Sequence, residues 1–320
     1  MHDDRPNVLW ICTDQQRYDT IQALGNEHIQ TPNLDRLCAE GVAFTHAHCQ
    51  SPICTPSRSS FLTGLYASTV HGNRNGNTYF PANERVQLIT KRLADSGYDC
   101  GLAGKLHIAS AWNGVEERVD DGYRRFWYSH SESQGIGQGN QYTDWLTEQG
   151  VDLGDVFRKK ADGSYGAYRP DMDPTYHQTT WCADRAIEFM EEAREGPWLM
   201  CVNPFDPHGP FDAPDTHKNL YDPAELPPPL FRESDLETQA RLSRFFNGRK
   251  GRKPGEQEQE IKASYYGMIS LIDDQVGRML EALERTGQRE NTVVIFMSDH
   301  GEMLGDHGLV AKGCRFYEGL

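Results

Sequence analysis

Asn7-Val-Leu-Trp-Ile-Cys-Thr13, followed at once by Asp14-Gln15-Gln16-Arg17, sets the reading of the rest of the chain. Its apolar residues run without alternation, the pattern of a strand covered on both faces in a parallel sheet, and it ends abruptly in polar residues. Two later segments repeat the design: Pro197-Trp-Leu-Met-Cys-Val202 stops at Asn203-Pro-Phe-Asp-Pro-His208, and Asn291-Thr-Val-Val-Ile-Phe-Met297 stops at Ser298-Asp299-His300-Gly301. Helical patterns alternate with these strands: Thr31 to Glu40, Arg85 to Ser96 before a short strand Tyr98 to Ala103, and His177 to Ala193. The longest covers about Glu258 to Thr286, where Ile261, Tyr265, Met268, Ile272, Val276, Met279 and Leu283 recur at helical spacing and Gly287 marks the stop. Strand and helix by turns predict an α/β fold with a mostly parallel central sheet flanked by helices. Sheets of this kind bind ligands beyond the carboxyl ends of their strands, where Asp14, His208 and Asp299 converge if the three strands are parallel neighbours.

The 320 residues suffice for one large α/β domain spanning 1–320. Thirty-two Lys and Arg against 47 Asp and Glu leave a net charge of −15, which argues against nucleic acid as a partner and leaves an anionic substrate to a few local cations and a metal. No apolar run approaches the roughly 20 residues that span a bilayer, so no membrane partner is expected. The segment from Met1 to Thr13 lacks the basic flank and cleavage site of a signal peptide, which predicts a cytoplasmic protein. Eight cysteines without a C-x-x-C pair read mostly as buried reduced thiols. Two stretches, about 112–174 and 212–255, lack clear periodicity and are expected to be long excursions that wall a substrate pocket. The second carries Arg249-Lys-Gly-Arg-Lys253, read as a solvated charge run rather than an anion grip.

Chemistry concentrates in Ser51-Pro-Ile-Cys-Thr-Pro-Ser-Arg-Ser-Ser-Phe-Leu-Thr-Gly64, where a cysteine precedes a proline by two residues and an arginine by four. Cys54-Thr55-Pro56-Ser57-Arg58 with Leu62-Thr63-Gly64 resembles the sulfatase signature C-x-P-S-R-x-x-x-L-T-G at every defined position. The likeness runs along the chain: Pro6-Asn7-Val8-Leu9 leading to Asp14, Thr31-Pro-Asn-Leu-Asp-Arg36, Gly41-Val-Ala-Phe44, Gly104-Lys105-Leu106-His107, Pro207-His208-Gly-Pro210 and Ser298-Asp299-His300-Gly301 stand in the family's order.

The resemblance implies an alkaline-phosphatase-like fold and a cysteine, here Cys54, oxidised after translation to formylglycine, with a formylglycine-generating enzyme as maturation partner. The hydrated aldehyde would be the nucleophile: one hydroxyl attacks sulfur, and the second expels sulfate and restores the aldehyde. The same resemblance implies metal ligands at Asp14, Gln15, Asp299 and His300, with residue 54 completing the set. Gln15 stands where many members have a second Asp, and His300 where many have Asn. Hard oxygen donors favour Ca²⁺, with Mn²⁺ and Mg²⁺ as alternatives. Arg58 would pair with the nucleophile or the substrate anion, and Lys105 and Lys312 would face the sulfate oxygens. His107 would accept the proton that lets sulfate leave, and His208 or Lys312 would protonate the departing alcohol. His71 is left to a structural role or to the pocket wall, and His177 and Asp306-His307 have no comparable support. Family members usually continue well past the Asp299 motif, so the end at Phe316-Tyr-Glu-Gly-Leu320 implies a truncated C-terminal subdomain. Three functions stay open: a sulfatase acting on a sulfate ester, a phosphonate monoester or phosphodiester hydrolase, which shares the nucleophile and an Asp-Gln pair, and a non-catalytic metal- and anion-binding relative.

Overall fold

A computed structural model describes residues 4–70, 72, 74–76, 80, 85–241 and 251–314. The strands among the described residues are β1 (Asn7–Thr13), β2 (Asp99–Gly104), β3 (Arg125–Tyr128), β4 (Phe157–Lys159), β5 (Tyr165–Tyr168), β6 (Trp198–Asn203) and β7 (Thr292–Ser298). The helices that accompany them are α1 (Pro32–Glu40), α2 (Cys54–Thr63), α3 (Ile89–Asp95), α4 (Gln141–Glu148), α5 (Leu153–Val156), α6 (Gln178–Glu191), α7 (Asp215–Lys218), α8 (Glu233–Arg241) and α9 (Glu256–Arg285). The main sheet has the order β3-β2-β6-β1-β7, and every pairing in it is parallel. Strands β4 and β5 form a separate antiparallel hairpin. Because β6, β1 and β7 are adjacent, the polar residues that follow them share one end of the sheet.

Alternation of side chains across the pleat sorts the core into two layers. Leu9, Ile11, Ala103, Met200 and Val202 face α1, α6 and α9, where they meet Leu34, Trp181, Phe189, Ile272 and Val276. On the other face Val8, Trp10, Cys100, Leu102, Leu199 and Cys201 meet Leu62 of α2 and Leu88 and Leu93 beside and within α3. Strands β1 and β6 are thus covered on both sides, as their unbroken apolar runs predict. Strand β7 departs from that expectation. It lies at the sheet edge, and Val293 and Ile295 keep 47% and 39% of their surface exposed, whereas Val294 and Phe296 pack on the α9 side.

The two segments expected to lack periodicity are more structured than the sequence shows. Residues 112–174 hold β3, α4, α5 and the β4–β5 hairpin, and 212–255 hold α7 and α8. Strand β3 escapes a periodicity reading because it has only the four residues Arg125-Phe-Trp-Tyr128, too few for a pattern, and gains its order by pairing with β2. No helix among the described residues is long and apolar enough to cross a membrane.

Candidate active site

The signature builds the start of α2. Pro56 lies in the first turn, where a missing N–H leaves no helical bond unmade. Cys54 and Arg58 are four residues apart, so they share one face of the helix. Gly64 ends it in the left-handed region at φ 69°, with its N–H donating to the Ser60 carbonyl at 2.8 Å. Cys54 therefore sits at the helix N-terminus, where the backbone dipole favours an anion.

Four strand ends meet this turn. Asp14 follows β1, Lys105 and His107 follow β2, His208 follows β6, and Asp299 and His300 follow β7. The Cys54 Sγ lies 3.7 Å from Asp14 Oδ1 and 3.2 Å from His300 Nε2. Asp14 Oδ2 is bound by Lys105 Nζ at 2.6 Å and by an Arg58 terminal nitrogen at 3.1 Å, while Arg58 Nε donates to Asp299 Oδ2 at 2.9 Å. Asp299 Oδ1 accepts the Gln15 N–H at 3.0 Å, across a backbone held at φ 71°. Lys312 Nζ contacts both Gln15 Oε1 and His208 Nε2.

These placements refine the expected roles. Arg58 is buried, and its hydrogen bonds go to Asp14, Asp299 and the Lys105 carbonyl at 3.1 Å. It bridges the two carboxylates, because the helix face it shares with Cys54 points it into that pair. Cys54, Lys105 and His107 are also buried, whereas His208 and Lys312 are half-buried and mark the side nearest solvent. His71, Arg249 and Lys250 of the charge run, and Phe316–Leu320 lie outside the described residues.

Electrostatics follow from this packing. Burial raises the Cys54 thiol, but Lys105 and His300, with hydrogen bonds from His107 and His208, outweigh it and hold the thiol well below its usual range. Burial and the Cys54 charge push Asp14 up, and Lys105 with Arg58 brings it to well below the usual carboxylate range. His107 is held down to about 4 by burial and by Lys105, so it is neutral at physiological pH. His300 loses its proton less readily: burial lowers it, but Asp299 and Cys54 raise it to about 9 when no cation is present.

A divalent cation fits these donors. One ligand atom each from Asp14, Cys54, Asp299 and His300 lies within 4.8 Å of the others. His300 Nδ1 is occupied by the Gly301 carbonyl at 2.9 Å, so Nε2 is the nitrogen directed at the cluster and, on giving up its proton, would be the one to bind a metal.

Several residues that the motifs do not single out shape the site. Glu116 accepts the N–H groups of His107, Ile108 and Ala109 at 2.6, 2.8 and 2.8 Å, pinning the loop in which His107 adopts φ 52°. Tyr265 donates to the Gln15 carbonyl at 2.6 Å and accepts the Arg17 N–H at 2.9 Å. His130 packs edge-on to His107 at 4.5 Å between ring centroids. Glu302 is buried beside Gln15. Of these, only Glu302 stood near a visible signal, two positions after His300.

The sulfatase family profile matches residues 6–318. The chain belongs to the sulfatase family. This member of the sulfatase family is 33% identical to an arylsulfatase of Clostridium perfringens over 98% of its own length and 66% of the relative's. It is 31% identical to the multifunctional alkaline phosphatase superfamily protein PehA of Trinickia caryophylli, over 96% of this chain and 65% of that one. Among solved structures, the phosphonate monoester hydrolase of Agrobacterium radiobacter superimposes with a TM-score of 0.78 at 28% identity, over 98% of this chain and 66% of that one. The sulfatase chain thus spans just under two thirds of the length of these relatives.

Proposed function

We propose that this protein hydrolyses a sulfate ester of an alcohol, sugar or phenol, with residue 54 converted to formylglycine by a formylglycine-generating enzyme. The observation that carries the proposal is the convergence of Asp14, Lys105, His107, His208 and His300 on Cys54. The Cys54 sulfur marks the position that the oxygens of the hydrated aldehyde would take. Asp14, Gln15, Asp299 and His300 would hold a divalent cation, which would lower the pKa of a hydroxyl on residue 54 and draw charge from the sulfate. An imidazole nitrogen among the donors moves the expectation from calcium, which takes oxygen ligands, toward manganese.

The remaining residues have assignable tasks. Lys105 lies against both Asp14 and Cys54, where a fixed positive charge stabilises an anion developing at sulfur. His107, neutral because burial and Lys105 hold it down, is able to accept a proton from residue 54 as sulfate leaves. The Lys312–His208 contact stands on the half-buried side, where either group can protonate a departing alcohol.

A phosphonate or phosphodiester substrate is the second reading, favoured by the Asp14-Gln15 pair and by the likeness to the phosphonate monoester hydrolase. Lys105 and His107, in the Gly-Lys-x-His element, favour sulfate. Comparing kcat/KM for 4-nitrophenyl sulfate and 4-nitrophenyl phenylphosphonate on matured full-length protein separates the two. A sulfate preference is expected; a strong phosphonate preference overturns the first reading, and sulfate binding without turnover of either ester would establish a non-catalytic relative.

A further inference from the structure

Glu302 has no exposed surface and lies two residues beyond His300, yet none of the proposed chemistry uses it. Its Oε2 accepts from Gln15 Nε2. Its Oε1 accepts from the Leu304 N–H at 3.1 Å and from the Ala311 N–H. Three N–H donors thus face its two oxygens, one from the Gln15 amide and two from the backbone. A carboxylate only accepts hydrogen bonds. The NH₂ end of the Gln15 amide faces Glu302, and Oε1 points the other way, toward Lys312.

We propose that Glu302 is a positioning residue that sets the Gln15 amide with its oxygen toward the cation, and that it is the reason position 15 carries a neutral amide. A carboxylate at position 15 would face the Glu302 carboxylate across a buried hydrogen-bond distance, where like charges repel strongly. This rests on the reading that the site takes a divalent cation. The pair should be exchangeable: in Gln15→Glu/Glu302→Gln, the amide nitrogen introduced at position 302 donates to the new carboxylate at position 15, and the amide oxygen beside it still accepts from Leu304 and Ala311.

Titration of metal-stripped full-length protein with Mn²⁺ and with Ca²⁺ by calorimetry, alongside thermal unfolding of each stripped variant, tests the pair. Glu302→Gln alone frees the Gln15 amide to turn over, and Gln15→Glu alone sets two carboxylates together; each is expected to lose roughly 10–100-fold in Mn²⁺ affinity. Gln15→Glu/Glu302→Gln is expected to recover affinity to within about threefold of native or better, since a carboxylate ligand binds cations at least as well as an amide oxygen. Native affinity in Glu302→Gln, or a double variant no better than the poorer single one, overturns the proposal. So does a double variant that does not fold, because the exchange preserves both shape and hydrogen bonds. Failure of the native protein to bind either cation would instead remove the metal reading on which the pair rests.

Discussion

Replacing Arg58 by Met removes the guanidinium that bridges Asp14 and Asp299 while keeping much of the side chain's length. Three hydrogen bonds vanish, at 2.9, 3.1 and 3.1 Å. Asp14 keeps Lys105 at 2.6 Å, but the ion-pair partner left to Asp299 among the described residues is His300, at 3.7 Å. Breaking a buried pair from one side costs about 3–5 kcal/mol because a carboxylate is left without its charge partner. At about 2 °C per kcal/mol for a chain of this size, the melting temperature should fall by about 6–10 °C. Asp14 supplies the pH signature. Its folded pKa is depressed, so its contribution is present above its unfolded value near 4 and is lost as pH falls. Without Arg58 the depression is smaller, and the native and variant stabilities should draw together below about pH 4. Denaturant unfolding from pH 7 to pH 3 measures both effects. A loss at pH 7 below about 1 kcal/mol, the level of an exposed pair, would refute the role assigned to Arg58.

Gly104→Ala should be poorly tolerated: Gly104 has φ 106°, and a Cβ there would lie 2.0 Å from the Asn203 carbonyl oxygen, so a loss of at least about 2 kcal/mol in denaturant unfolding is expected. Lys105→Met should lower kcat by about 10²–10³-fold, as removal of an anion-stabilising donor does; single-turnover kinetics check it. His177 caps α6 by accepting the Thr179 N–H at 3.2 Å, and burial with His217 nearby holds it down to about 3. Its contribution is therefore present above its unfolded pKa near 6.5 and is lost as pH falls, so His177→Asn, which retains a capping acceptor, should flatten the stability slope between about pH 6.5 and 4 by about 1.4 kcal/mol per pH unit. Cys54→Ser should stop after one turnover, because a serine sulfate ester has no second hydroxyl to release it; a sulfate-release time course reads this directly.

Much of this organisation is legible in the sequence because it depends on local pattern. Strand β1 spans Asn7–Thr13 as its apolar run predicts, and α9 covers Glu256–Arg285 against a predicted Glu258 to Thr286. The meeting of Asp14, His208 and Asp299 follows once β6, β1 and β7 are neighbours, an order that no periodicity encodes. What escapes the sequence depends on tertiary pairing. Strand β3 exists because β2 accepts it, and the exposed face of β7 reflects its place at the sheet edge. Glu116 acts on His107 and Tyr265 on Gln15 through backbone groups that carry no sequence signal. The direction of Arg58, toward the carboxylates of Asp14 and Asp299, likewise required the positions of two strand ends.

The most direct test is a mass spectrum of the tryptic peptide Leu37 to Arg58, from native-host protein or after coexpression with a formylglycine-generating enzyme. An aldehyde or its hydrate at residue 54 is the predicted result and commits the site to hydrolysis by a geminal diol. An intact cysteine under those conditions would contradict the proposed function and leave the cluster around Cys54 as a binder of metal and anion.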